Sequence, residues 1–189
     1  MNIYSLGFFY FLLGVILNFA DLAMNLELID KGIQVTELTY FNALMIIPWC
    51  CKPVYGLLSD SFPICKERRR PYIIIANIIA TLLWIFIGQD HEKISITYMK
   101  YLLFSLSVLT CFSDVMYDSL LVVEARGESQ ADHGKKQSVC WMARALGATL
   151  SAITAGLLLL QVSRRIIFLC QASMHLVAAF SAIFLAFAF

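Results

Sequence analysis

Asp114 and Asp118 stand four residues apart inside a long apolar run, and Asn18, Asp21 and Asn25 are spaced three and four apart inside another. On a helix the first spacing puts both carboxylates on one face, and the second makes a single polar stripe. Lys52 and Arg144 are cations in comparable surroundings. An ionisable group at membrane depth costs at least about 2.5–3.5 kcal/mol on insertion scales, so such groups face a bundle interior or an aqueous cavity. Two readings follow. In one, Asp21, Lys52, Asp114, Asp118 and Arg144 line a path for a polar solute. In the other, Asp114 and Asp118 pair with Lys52 or Arg144 as structural glue, Asp21 is wet near the outer surface, and Lys52 snorkels to the headgroups.

The elements that position these residues are apolar and long. Of the 189 residues 60% are hydrophobic and only 14% charged, and the mean hydropathy is +0.78. A soluble surface needs about 25% charged side chains, so the class is integral membrane protein. A hydrocarbon core of about 30 Å takes about 20 apolar residues per helix. Six runs of that kind are expected to form one six-helix transmembrane domain over 1–189: residues 4–24, 38–58, 72–88, 96–123, 139–160 and 166–189. The first lacks a basic segment before it and is too long for a signal peptide, so it is expected to stay in the mature chain.

Lys66, Arg68, Arg69 and Arg70 follow the second run, and Arg126, Lys135 and Lys136 follow the fourth. The positive-inside bias therefore places the even-numbered links and both termini in the cytoplasm; Arg164 and Arg165, after the fifth run, count against it. Both the first and fourth runs carry carboxylates in their second halves. Many transporters repeat a three-helix unit whose leading helices line the substrate path. Read as 3+3 repeats, these two runs send their acidic stripes toward a common centre.

The other features are structural. Pro48 and Pro53 each remove a backbone hydrogen bond from the second run and are expected to bend it, which lets Lys52 point inward. Ala145, Gly147, Ala148, Ser151, Ala152, Ala155 and Gly156 permit close helix approach, so the fifth helix is expected to be buried between neighbours. The sixth, with Phe180, Phe184, Phe187 and Phe189, reads as lipid-facing or as a surface awaiting a partner. Cys50, Cys51, Cys65, Cys111, Cys140 and Cys170 form no CxxC pair, and His91, His133 and His175 are isolated, so neither cofactor nor metal is implied. An enzyme would want a nucleophile with its base or a phosphate-binding glycine loop, and neither is found. No nucleic-acid partner is expected.

The stretches PWCCKPVYGLLSDSFPI with RRRPY behind it, DVMYDSLLVVEAR, QSVCWMARALGATLSAITAGLLL and NLELIDKG resemble the folate-biopterin transporter family, a branch of the major facilitator superfamily. The resemblance implies an all-α integral membrane protein whose six transmembrane helices form one half, the N-terminal one, of a twelve-helix transporter. It implies alternating access, with Gly56, Asp60, Arg68, Arg69, Arg70, Glu124 and Arg126 as a cytoplasmic gate that holds one conformation. The sequence departs from the family at CKERRR, where a Gly-Tyr-like pair is expected before the arginines, and Glu67 is placed to neutralise one of them.

A folate or pterin offers a flat amino-pyrimidinone edge that suits a carboxylate, and folate adds glutamate carboxylates that suit Lys or Arg. Asp114, Asp118, Lys52 and Arg144 supply both kinds. A carboxylate in a low-dielectric cavity can titrate near neutrality and couple transport to protons. Six helices offer half a cavity, so the expected partners are the solute, the bilayer, and a second six-helix half or a second copy. The alternative is a truncated, non-transporting membrane interaction protein that keeps the fold.

Overall fold

A computed structural model describes residues 3–126 and 134–184, and everything structural below refers to them. Its helices are α1 (Ile3–Asn18), α2 (Asp21–Asp30), α3 (Val35–Leu44), α4 (Ile47–Cys50), α5 (Lys52–Ser61), α6 (Arg70–Asp90), α7 (Ile96–Ala125), α8 (Lys135–Leu159) and α9 (Arg164–Phe184). They make six candidate spans: Ile3–Asp30, Val35–Ser61, Arg70–Asp90, Ile96–Ala125, Lys135–Leu159 and Arg164–Ile183. The protein is an all-α, multi-pass integral membrane protein. His133, Phe187 and Phe189 lie outside the described residues, as does the side chain of Phe184.

The first two spans are broken in ways the sequence explains. In the second, Pro48 and Pro53 lack the N–H groups that would bond Leu44 and Trp49, so the helix interrupts at Met45 and Ile46 and again at Cys51. The neighbouring α7 makes use of the exposed carbonyls: Ser107 Oγ donates to Met45 O at 2.9 Å and Cys111 Sγ to Pro48 O at 3.4 Å. The expected bend is present, and Lys52 begins the segment after it. The first span breaks at Phe19 and Ala20. That break splits the anticipated stripe. Asn18 donates back to Gly14 O at 2.9 Å, whereas Asp21 and Asn25 line a recess from which Asn18 is absent.

Packing follows a two-fold pattern. α1 lies along α8, α5 and α4 against α7, and α6 along α9. Exchanging the first three spans with the last three maps the 1–5 contact onto the 4–2 contact and the 3–6 contact onto itself. Such pairing is what repeated three-helix units produce.

The α1–α8 seam is set by glycine. A Cβ on Gly14 would stand 2.1 Å from Arg144 O, and one on Gly147 would stand 2.2 Å from Phe11 O. Backbone meets backbone, as close association in lipid requires. Of the small residues in the fifth span, Gly147, Ser151 and Ala155 are buried. The expectation that this helix is enclosed by neighbours is therefore corrected. Residues at every fourth position make one narrow seam, while Leu146, Leu150, Ile153 and Leu157 on the remaining surface stay exposed. α9 is also two-faced: Ile167, Phe168, Ala172 and Ala179 are buried, and Leu176, Val177 and Phe180 are exposed.

Inside the bundle, polar side chains satisfy one another. Asn77 on α6 donates to Ser113 Oγ at 3.1 Å on α7, and His175 Nδ1 on α9 lies 2.9 Å from Asn77 Oδ1. Gln171 donates to Ile16 O at 2.7 Å. An unpaired polar group in a hydrocarbon setting costs several kcal/mol, so these bonds tie together four helices, α1, α6, α7 and α9.

Candidate functional site

Asp114 is the centre of the charged set. It is wholly buried, its Oδ2 lies 2.5 Å from Lys52 Nζ, and its Oδ1 lies 2.9 Å from Arg144 Nη1. One carboxylate thus joins α5, α7 and α8. Asp118, one turn along, lies 3.4 Å from the same lysine and accepts a 2.7 Å hydrogen bond from Tyr10 Oη on α1. Trp141 and Trp49 lie under the cations: Arg144 Cζ is 5.0 Å and Lys52 Nζ is 4.9 Å from the respective ring centroids. Two carboxylates and two cations neutralise each other in a place where single charges would be costly.

This cluster separates two recesses at opposite ends of the bundle. One, of about 300 Å³, is lined by Asp21, Asn25, Asn42, Trp49, Gln171 and His175 among others. The second, of about 610 Å³, is lined by Lys52, Asp60, Arg68, Arg69, Asp118 and Arg126 with several apolar residues. Asp21 and Asp118 thus face different recesses, and Asp114 faces neither. The picture of acidic stripes meeting at one centre is corrected accordingly: the break at Phe19 and Ala20 and the burial of Asp114 beneath two cations keep the carboxylates apart.

The residues expected at the gate divide as well. Asp60 pairs with Arg69 at 2.7 Å, and Arg69 also donates to Ser59 Oγ. Arg70 turns away from the recess: it donates to Ala182 O and Ile183 O, both at 2.9 Å, and meets Glu67 at 3.1 Å. Both carbonyls belong to α9, so Arg70 ties the start of α6 to that helix. Glu124 pairs with Lys136 at 3.7 Å. Gly56 lies near Val115, to which a Cβ there would be 3.9 Å away. The turn before the arginines holds Cys65 at φ 52° and Lys66 at φ 67°, with reciprocal 2.9 Å bonds between Ile64 and Glu67. Positive φ at both central positions is the type I′ geometry that favours glycine or asparagine, so the departure at CKERRR keeps the turn shape with less suitable residues.

Several participants were not foreseen from the sequence. Tyr10 meets Asp118 across 108 residues, a separation for which local pattern has no signal. Glu27, nearly inaccessible at 5% exposure, accepts from Arg164 at 3.0 Å, and Arg164 reaches Asp30 as well. Glu27 lies in the NLELIDKG stretch, and its position within an apolar helix was the available signal. His175 reads from the sequence only as isolated, and Trp49 and Gln171 carry no signal; the fold places all three around a recess. Among the described residues no group of three or more His, Cys, Asp and Glu side chains forms a metal site.

The sequence pattern of the BT1 family matches residues 13–187, nearly the whole chain. The chain belongs to the BT1 family. Among its relatives, a folate-biopterin transporter of Synechocystis is 34% identical over 84% of this chain and 32% of its own length. A probable folate-biopterin transporter 4 of Arabidopsis thaliana is 30% identical over 67% of this chain and 26% of its own length. Folate transporter 2 of Plasmodium falciparum is 27% identical over 74% of this chain and 30% of its own. The aligned part of this family member therefore spans about a third or less of the length of these curated relatives. No solved structure matches it.

Proposed function

We propose that this chain is a six-helix half-unit of a membrane transporter for folate- or pterin-like solutes, working by alternating access, and that it is not an enzyme. The observation that carries this reading is the neutralised cluster of Lys52, Asp114, Asp118 and Arg144 standing between two recesses at opposite ends of the bundle. A charged plug of this kind holds one side closed and can open when a solute replaces one of its ion pairs. The transporter names of the relatives and the two-fold helix pairing support it.

In this reading Asp60 and Arg69 hold the second recess shut while Arg68 and Arg126 keep it basic. The surfaces of α3–α5 and α8, the least buried spans, receive a second six-helix half or a second copy. The end that holds the second recess, the arginine cluster and both termini faces the cytoplasm. Asp118, which keeps 35% of its side-chain surface exposed between Tyr10 and Lys52, is the carboxylate of the cluster that a solute in the second recess reaches.

The test is uptake of labelled folate and biopterin into vesicles carrying the chain, with and without a proton gradient. Wild-type vesicles accumulate label and Asp118→Asn vesicles with equal folded protein do not. Flat uptake by the wild type, with or without a co-expressed second half, overturns transport and favours a non-transporting interaction protein.

A further inference from the structure

The first recess has an unusual balance of hydrogen-bonding groups. Asp21 is exposed to it and has no ion pair or hydrogen bond among the described residues. Gln171, 2% exposed, spends its amide N–H on Ile16 O, and its Oε1 is buried without a partner. Asn42 donates to Asn25 Oδ1 at 3.2 Å, which leaves the Asn42 carbonyl uncommitted. Asn77 donates through its amide nitrogen to Ile73 O and Ser113 Oγ, so its Oδ1 must accept from His175 Nδ1–H. The neutral His175 ring then carries its lone pair on Nε2. Asp21, Gln171, Asn42 and His175 thus each present an acceptor, beside lining donors such as the Asn25 amide and the Thr110 hydroxyl, and no Lys or Arg lines the recess. A buried carbonyl oxygen without a donor loses hydration for nothing in return, which marks the recess as shaped for a donor-rich guest.

Asp114, the other carboxylate suited to a donor edge, is fully committed to Lys52 and Arg144. Lys52 lies across Trp49, whose ring lines the recess and is 4.9 Å from Lys52 Nζ. The volume of about 300 Å³ is at the small end of the range for small-molecule sites, about 300–1,000 Å³.

Building on the transporter reading, we propose that this recess is the subsite for the flat amino-pyrimidinone ring. The Asp21 carboxylate accepts the paired ring N–H and exocyclic amine donors, and Gln171 and Asn42 accept from the same edge. The anionic tail of a folate points toward Lys52 and Arg144. The ring is read independently of the tail, so the site accepts a pterin that has no glutamate.

The test is equilibrium binding of biopterin, folate and the tail fragment p-aminobenzoyl-glutamate to the full chain in lipid nanodiscs. Asp21 has no partner to lose, so Asp21→Asn keeps the fold. It is expected to weaken biopterin and folate about ten- to hundredfold, the effect of losing a hydrogen bond to a charged acceptor, and to leave the tail fragment unchanged. Asp21→Glu retains most of the affinity. If the wild type binds folate and Asp21→Asn binds biopterin and folate equally well, the ring assignment fails while the transporter reading stands. Equal loss of all three ligands in Asp21→Asn also overturns the assignment. If the wild type binds none of the three, the transporter reading fails and takes the ring site with it.

Discussion

Asp114 illustrates how one side chain sets the energetics of a buried cluster. Removing a buried ion's partner leaves an uncompensated charge, which costs about 3–5 kcal/mol. Asp114→Ala strands Arg144 and leaves Lys52 only its 3.4 Å contact with Asp118, and a loss of that size is expected in denaturant or thermal unfolding of the protein in detergent. The double variant with Arg144→Met should recover part of it, since the stranded cation is gone. Arg164 makes the matching case at the other end of the bundle. Its sequence position opposed the positive-inside assignment, yet it is neutralised by Glu27 and Asp30. Arg164→Ala is expected to destabilise by about 1–3 kcal/mol, because buried Glu27 loses its hydrogen-bonded cation and keeps only Lys31 at 3.6 Å, whereas Arg165→Ala, with no ion pair among the described residues, should change the unfolding midpoint little. Intramembrane charge was legible from the sequence as important. Which cation met which carboxylate was not, because the partners are 62, 30 and 137 residues apart.

At the scale of elements, the α1–α8 seam and the turn before α6 respond in opposite directions to substitution. Gly14→Ala or Gly147→Ala puts a methyl into a backbone oxygen. Overpacking of this kind costs about 1–3 kcal/mol, and the loss should appear as a lower midpoint of thermal unfolding and weaker crosslinking between cysteines introduced on α1 and α8. Lys66→Gly acts the other way. A non-glycine residue in the left-handed region costs about 1–2 kcal/mol, so relief at φ 67° should raise the midpoint, provided the turn keeps its reciprocal bonds. The proline bends were readable from local pattern. The break at Phe19 and Ala20 was not, since it follows no proline and no side-chain signal in the sequence marks it.

The whole molecule presents one basic end and a broad apolar flank. Cys65 is exposed at the basic end beside the arginine cluster. With the remaining cysteines replaced by serine, a membrane-impermeant thiol reagent is expected to label Cys65 in inside-out vesicles and not in intact cells. Labelling from the outside would reverse the orientation proposed above. The exposed flank of α3–α5 and α8 is the place to look for a second half: single cysteines at Leu57 and Leu150, both exposed, should crosslink to a partner unit in lipid and not to each other within one chain.

By itself the sequence determined what depends on composition and short spacing: a membrane environment, six apolar helices, a kinked second span, and carboxylates too costly to face lipid. Family resemblance carried by local motifs was equally accessible. The tertiary structure alone decided how these parts combine. Helix rotation and the glycine seam choose which turn of α7 meets Lys52 and Arg144, and the break in the first span turns Asp21 into another recess. Such contacts join residues far apart along the chain, and their energies depend on burial and on the exact set of neighbours. No window of sequence contains either quantity.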